Sequence, residues 1–247
     1  MINGYVSEMF GSFQGEGPMV GERHLFLRLC CCNLRCQYCD TRDSLTEQPV
    51  ARISAPDGSG VRSLPNPLRA EVVAELLDSM EPEPGHYYAL TVTGGEPLEQ
   101  PGFLVDILGL LDGRYRVVLE TNGTLAGAFR EVGHLVDVVS MDVKLPSVTG
   151  LGPLWDRHLA FLEECRHKEL VVKAVFSEDT PVEEVGHAAR LIAGYAPDAV
   201  FVLQPMSVSG AVRPQPEDRL LALYMEARRS LANVRVIPQV HKIMGVR

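Results

Sequence analysis

Two kinds of apolar segment alternate along this chain, and that alternation constrains its fold more than any single motif. "HLFLRL" (24–29), "YYALTVTGG" (87–95), "YRVVLET" (115–121), "VDVVSMDV" (136–143), "ELVVKAVF" (169–176) and "DAVFVLQP" (198–205) are β-branched and aliphatic runs that read as strands. Between them "AEVVAELLDSM" (70–80), "FLVDILGLLDG" (103–113), "LWDRHLAFLEECRH" (154–167) and "VEEVGHAARLIAGYA" (182–196) carry apolar residues at helical spacing. A last helix, "EDRLLALYMEARRSL" (217–231), leads to a final strand, "VRVIPQVHK" (234–242). Strands apolar nearly throughout and separated by helices indicate an α/β fold with a covered parallel sheet. Six or so such strands are too few for a closed eight-stranded barrel, which leaves a partial (β/α) barrel or an open doubly wound sheet. The Pro-, Gly- and Ser-rich stretch 49–67 reads as a loop or small insertion, so residues 1–247 read as a single domain.

The chain's 46% hydrophobic content over 247 residues supplies a substantial core. It has no apolar run long enough for a membrane span, and "MINGYVSEMFGSFQGEG" lacks the basic and apolar regions of a secretory signal. A cytoplasmic protein is therefore expected, with clustered cysteines serving as metal ligands rather than disulfides. A net charge of -9 without any basic run argues against nucleic-acid binding. Small-molecule chemistry fits best.

In parallel α/β architectures chemistry collects at the carboxyl ends of strands. Five motifs stand there: the cysteines after 24–29, "TGGEP" after 87–92, "ETNG" closing 115–120, "SMDVK" closing 136–141 and "QPM" closing 198–203. "CCCNLRCQYCD" (30–40) holds five of the six cysteines. Three registers are open, because Cys30, Cys31 and Cys32 each lead into Cys36 and Cys39. Cys30 and Cys31 continue the strand's alternation, whereas Asn33-Leu34 leaves it, and Cys32 is the first thiol free to bend around a cluster. Three thiolates reach three corners of a cubane and leave the fourth iron open to a small molecule. Structural zinc would want a second cysteine pair, and His24 lies at the wrong end of its strand to replace one. Cys165, inside an amphipathic helix, reads as a core residue. Arg28 is a fixed cation in an apolar strand and needs an anion: an internal carboxylate such as Glu16, or a ligand carboxylate held by two parallel hydrogen bonds.

"CNLRCQYC" resembles the C-x3-C-x2-C signature of radical S-adenosylmethionine (SAM) enzymes, whose 4Fe–4S cluster binds the methionyl part of SAM at its open iron. "FQGEG" (13–17), "LRL", "CDT" (39–41), "TGGEP" (93–97), "ETNG" (120–123), "SMDVKLPS" (140–147), "QP" (204–205) and "HKIMGVR" occur in order over nearly the whole chain. Together they resemble the 7-carboxy-7-deazaguanine synthase family of that superfamily. The resemblance implies a partial (β/α) barrel of about six parallel strands with the cluster loop after the first barrel strand. It implies a lyase that turns 6-carboxy-5,6,7,8-tetrahydropterin into 7-carboxy-7-deazaguanine by hydrogen abstraction at C6, ring contraction and loss of ammonia. That step feeds 7-deazapurine synthesis and queuosine-type tRNA modification. A cytoplasmic homodimer is implied, fed by a flavodoxin-like or ferredoxin-like one-electron donor, with no nucleic acid bound.

The resemblance also implies site residues. Cys32, Cys36 and Cys39 hold the cluster, and Thr41 helps hold Mg²⁺. Tyr38, Cys39 and Asp40 touch SAM from the cluster loop, with Gly95 and Glu96 at its methionyl part. Ser140, Asp142 and Lys144 serve its nucleoside, and Gln204, Pro205 and Met206 close over it. Phe13, Gln14, Gly15, Glu16, Arg28, Thr93, His241 and the terminal carboxylate of Arg247 surround the substrate. The alternative for Asp142 and Lys144 is a solvent-exposed ion pair, and for His241 a surface position on a frayed tail; that the chain stops after "HKIMGVR" favours a tucked-in terminus. Two features depart from the family pattern: Cys31 stands where glycine is common, and Cys30 adds a further thiol. Two rival functions are a glycyl-radical activase of the same superfamily, which would leave Arg28 and "FQGEG" without a task, and a cluster-bearing electron carrier or sensor, which would not need five polar strand ends.

Overall fold

The computed structural model describes residues 2–56, 58–83, 85–208, 211–212 and 215–246. Its main sheet has ten strands, numbered here in chain order: β1 (Val6–Phe13), β2 (Arg23–Leu29), β3 (Val50–Ser54), β4 (Val61–Pro65) and β5 (Ala89–Gly94), then β6 (Val117–Thr121), β7 (Val138–Asp142), β8 (Glu169–Phe176), β9 (Val200–Pro205) and β10 (Val234–Val236). The strand order is β10-β9-β8-β7-β6-β5-β2-β1-β3-β4. The seven strands from β2 to β10 are mutually parallel, and β1 joins their β2 edge antiparallel. Because the order is linear, with β4 and β10 at the edges, the barrel stays open; this is the partial (β/α) barrel.

The helices are α1 (Ala70–Met80), α2 (Pro101–Leu111), α3 (Ala126–Val132), α4 (Pro146–Thr149), α5 (Trp155–Cys165), α6 (Val182–Tyr195), α7 (Glu217–Arg228) and α8 (Val240–Met244). The five helices expected from periodicity all form, with ends shifted by a few residues. Strand alternation sorts the side chains into two layers. Leu25, Leu27, Leu29, Leu90, Val92, Leu119, Val139, Met141, Val172 and Leu203 join one core with helix residues such as Leu77, Phe103, Phe161 and Ile192. The alternate positions face inward. Ala89, Val118 and Val138 form an apolar floor plugged by Met19, while Arg28, Thr93, Glu120, Ser140, Asp142, Lys173 and Gln204 stand above it towards the carboxyl ends. The inner face thus changes from apolar to polar along β6, β7 and β9, which a strand-by-strand hydropathy reading misses.

Three segments sharpen or change the sequence reading. Of the two readings for residues 49–67, a loop or a small insertion, the structure shows the insertion: β3 and β4 form a hairpin, and β3 pairs with β1 to extend the sheet. Residues 6–13, not read as a strand in the sequence, form β1, in which Gly11 leaves room for the Tyr87 hydroxyl that any Cβ would strike. The last strand covers only 234–236; residues 240–244 turn back as α8. No helix among the described residues is long and apolar enough to cross a membrane.

Candidate active site

A cavity of about 1100 Å³ opens at the carboxyl ends of the parallel strands. The cysteine loop forms one wall. Cys31 adopts a left-handed conformation, φ 72°, that swings the chain out of β2's direction. Its carbonyl accepts from the Glu96 N–H at 2.7 Å, and Gly95 packs so closely on the Cys31 and Ser44 carbonyls that no side chain fits there. Beyond that turn Cys32, Cys36 and Cys39 line the cavity, whereas Cys30 is fully buried outside it and the half-buried Cys31 is not part of its lining. The Leu34 N–H donates to Cys32 Sγ at 3.4 Å, and Arg35 clamps the Cys32 and Leu34 carbonyls at 2.6 and 2.7 Å. All six cysteines are free thiols. Burial pushes Cys30 up to about 11 and Cys165 up to about 12, so both stay protonated packing residues. Among the described residues no three His, Cys, Asp or Glu side chains converge on one point that could hold a single metal ion. A cubane asks for no such convergence, since each thiolate binds its own iron.

The strand ends supply the opposite wall. Lys144 donates to Asp142 Oδ2 at 2.8 Å and to the Tyr38 hydroxyl at 3.0 Å, with only 12% and 14% of the Lys144 and Asp142 side chains exposed. The pair is therefore not the solvent-exposed one offered as its alternative reading. Burial disfavours the Lys144 cation, but Asp142 outweighs it and holds the ammonium charged. Beneath it the Lys144 N–H donates to His158 Nε2 at 3.0 Å, which leaves Nδ1–H to donate to the Gly123 carbonyl at 3.1 Å. Burial holds His158 down at about 4, and hence neutral. Asp142 Oδ1, Gln204 Oε1 and Ser207 Oγ are buried against this cavity with no hydrogen-bond partner among the described residues. Such atoms call for hydrogen bonds from a polyhydroxylated or amine-bearing ligand, and together with three unpaired thiols they fit SAM bound at a 4Fe–4S cluster.

Glu96 departs from expectation. Its side chain is fully buried behind the cavity wall and accepts from Leu98 N–H (3.1 Å), Thr121 Oγ1 (2.8 Å) and Asn122 N–H (2.7 Å). Burial pushes it up to about 7 against those three donors. It braces Thr121 and Asn122 from below, and Asn122 in turn donates to Asn33 of the cysteine loop at 2.8 Å. Pro205 is buried outside the cavity as well. Arg247 lies outside the described residues. Ser140, Met206, Gly95, Thr41 and Asp40 all line the cavity as expected.

The third wall comes from the β1–β2 side. Arg28 Nε donates to Glu8 Oε1 at 2.9 Å, so its internal partner is Glu8 rather than Glu16. The antiparallel register places Glu8 opposite Arg28, a pairing that is invisible until β1 is recognised as a strand. Gln14 donates to Glu120 Oε1 at 3.0 Å, and Thr93 to Glu120 Oε2 at 2.9 Å. Glu16 reaches across to Lys173 of β8. Burial alone would raise Glu16, but the Lys173 ammonium beside it overrides that and holds its carboxyl down at about 2. The chain's C-terminal segment covers this corner. Val240 N–H donates to the Gly15 carbonyl at 2.8 Å, Gln239 to Glu16 at 2.7 Å, and Lys242 to Asp40 at 2.8 Å. His241 packs against Gly15 without room for a Cβ, so it is no frayed surface residue. Phe13, Gln14, Gly15, Glu16, Arg28, Thr93 and His241 thus meet in one place.

Glu8, Glu120, Lys173, Gln239 and Lys242 line the cavity unforeseen. For Lys173 a signal existed: a lone cation in "ELVVKAVF", the same anomaly that singled out Arg28.

Comparison with known proteins agrees with this geometry. Residues 29–176 match the radical SAM superfamily. The 7-carboxy-7-deazaguanine synthase of Geobacter sulfurreducens is 36% identical over 97% of this chain and 96% of its own. That of Methanopyrus kandleri is 37% identical over 97% of this chain and 92% of its own. Among solved structures, QueE from Escherichia coli superposes with a TM-score of 0.57 at 18% identity, covering 98% of this chain and 96% of that one; it supports the fold.

Proposed function

Since the chain belongs to the radical SAM superfamily and, within it, to the 7-carboxy-7-deazaguanine synthase family, we propose how its cavity carries out that synthesis. The enzyme is a lyase, and the substrate we assign is 6-carboxy-5,6,7,8-tetrahydropterin. The single observation that carries the residue assignment is the division of the cavity. Three free thiols and unpartnered acceptors line one side, and a guanidinium, an amide and paired carboxylates line the other.

Cys32, Cys36 and Cys39 are the cluster ligands in this reading. When bound, the reduced 4Fe–4S cluster and SAM together supply a 5′-deoxyadenosyl radical able to take hydrogen from C6 of the substrate. The protein's task is to hold the partners in line and exclude water. Tyr38, Asp142 and Lys144 form a rigid hydrogen-bonded set beside the cysteines, and Ser140, Gln204 and Met206 complete the nucleoside side. Gly95 offers close backbone approach to the methionyl group. Arg28, oriented by Glu8, faces the substrate carboxylate with a planar fork. Gln14, Glu16 and Thr93 face the pterin ring, with His241 and α8 closing over it. Thr41, beside Cys39 on the loop that faces Arg28, would be the protein's oxygen ligand to a Mg²⁺ ion held near the substrate. An external one-electron donor, a homodimeric assembly, a cytoplasmic location and a place ahead of queuosine-type tRNA modification complete the reading.

The test is anaerobic reconstitution with iron and sulfide, then addition of reductant, SAM, Mg²⁺ and the pterin. Appearance of 7-carboxy-7-deazaguanine by mass, with SAM used far below stoichiometry, is the expected result. Formation of 5′-deoxyadenosine without that product would overturn the substrate assignment.

A further inference from the structure

Lys173 is a buried cation for which the reading above has no use. Its side chain faces inward from β8, with 12% of it exposed, in register with Asp142 of β7. Among the described residues its only hydrogen-bond partner is Glu16 Oε2. An ammonium has three donors, so two remain for whatever enters the cavity. Glu16 is similarly half-used: Lys173 and Gln239 each take one site on its carboxylate, which has about four acceptor positions.

Lys173 is also distinct in place from the other cavity lysine. Lys144 is the cation whose charge Cys32 and Cys36 feel, and it is consumed by Asp142 and Tyr38. Lys173 faces Glu16 and, more distantly, Glu120 and Asp142, on the side of the cavity where Gln14 and Thr93 converge. A Lys–Glu pair is neutral overall, so it does not select a further anion; Arg28 is the group suited to that. What it presents is a strong donor and a strong acceptor side by side, held in register by Gln239. The complement is a neutral ring edge with a carbonyl oxygen next to an N–H, a lactam.

We propose that Lys173 is a specificity-determining residue: its ammonium donates to the ring carbonyl oxygen of the pterin lactam while Glu16 accepts from the adjoining ring N–H. The inference rests on the pterin assignment above. It differs from a purely structural ion pair, for which replacing both partners by apolar groups would leave ligand preference unchanged.

The test measures binding to the cluster-reconstituted, SAM-bound enzyme without reductant, so that no turnover occurs. Two ligands are compared by equilibrium dialysis: 6-carboxytetrahydropterin and its 4-amino counterpart, in which the carbonyl and its neighbouring N–H are lost. The wild type is expected to prefer the lactam by about tenfold to a hundredfold. Lys173→Met is expected to bring the two affinities together, and Lys173→Arg to restore part of the preference. Retention of the full preference in Lys173→Met would overturn the proposal. Should that variant fail to fold or to hold iron, the wild type decides alone: equal affinity for both rings also overturns it. Binding of both rings without preference defeats this inference only. Binding of neither ring defeats the pterin assignment, and this inference with it.

Discussion

Cys32, Cys36 and Cys39 differ from Cys30 and Cys31 in where one left-handed residue sends them. The φ of 72° at Cys31 ends the β2 alternation, and the three loop thiols that follow it line the cavity. Alanine at Cys32, Cys36 or Cys39 is therefore expected to abolish cluster iron and its visible absorbance after reconstitution. Cys30→Ala and Cys31→Ala are expected to retain both. An intact cluster in Cys32→Ala would move the register and undo the reading of the turn. Arg28 permits a second residue-scale prediction. Arg28→Lys keeps a cation but loses the planar fork that Glu8 orients, so KM for the pterin should rise about tenfold or more. SAM binding should stay at the wild-type level; a KM unchanged in Arg28→Lys would remove Arg28 from the substrate carboxylate. Sequence alone located Arg28, because a cation in an apolar strand is anomalous. It missed the partner, because pairing depends on register across β1 and β2.

At the scale of elements, the helices were legible because each buries one face and so keeps a strict period, and the parallel strands because covered strands read as short apolar runs. The β3–β4 hairpin was not, since its strands sit at the sheet's outer end: Val50 and Val61 remain exposed, and glycine and proline fill the turn. The inward, polar half of β6, β7 and β9 was equally hard to read, because so few polar residues do not disturb an apolar run. Two histidines nevertheless tie these elements to a measurable pH response. His158 of α5 and His24 of β2 are fully buried by surface area, and burial holds each down at about 4. Unfolded, each titrates near 6.5, so between these values the unfolded chain binds protons that the folded chain refuses. Stability is thus expected to fall as pH drops from about 6.5 towards 4, by up to about 3 kcal/mol per histidine. Denaturant unfolding at pH 7.5 and pH 5 reads the slope. His158→Gln preserves an acceptor for Lys144 and a donor for Gly123 while removing the titration, and should flatten part of it. An equal slope in His158→Gln would assign the pH response to other groups.

Over the whole molecule, the open strand order poses a problem that the C-terminal segment answers. A partial barrel exposes its interior between β10 and the β1–β2 loop, yet radical chemistry needs that interior closed to water. The segment after β10 bridges the gap by backbone and side chain. It bonds Gly15 and Glu16 on the loop after β1 and Asp40 on the cysteine loop, so it fastens the two loops to each other as well as to itself. Little of the apolar core depends on it, since Ile243, Met244 and Val246 remain exposed. Truncation after Val236 should therefore leave the fold and the cluster ligands in place while removing the cover. The expected outcome is iron content near that of the full chain, continued reductive cleavage of SAM to 5′-deoxyadenosine, and loss of the deazaguanine product. Quantified iron, 5′-deoxyadenosine and product by mass from a single reconstituted sample separate these cases. Product formation at the full-length rate would show that the segment is ornamental. Loss of cluster iron would show that it organises the cysteine loop through Asp40, not the substrate corner alone.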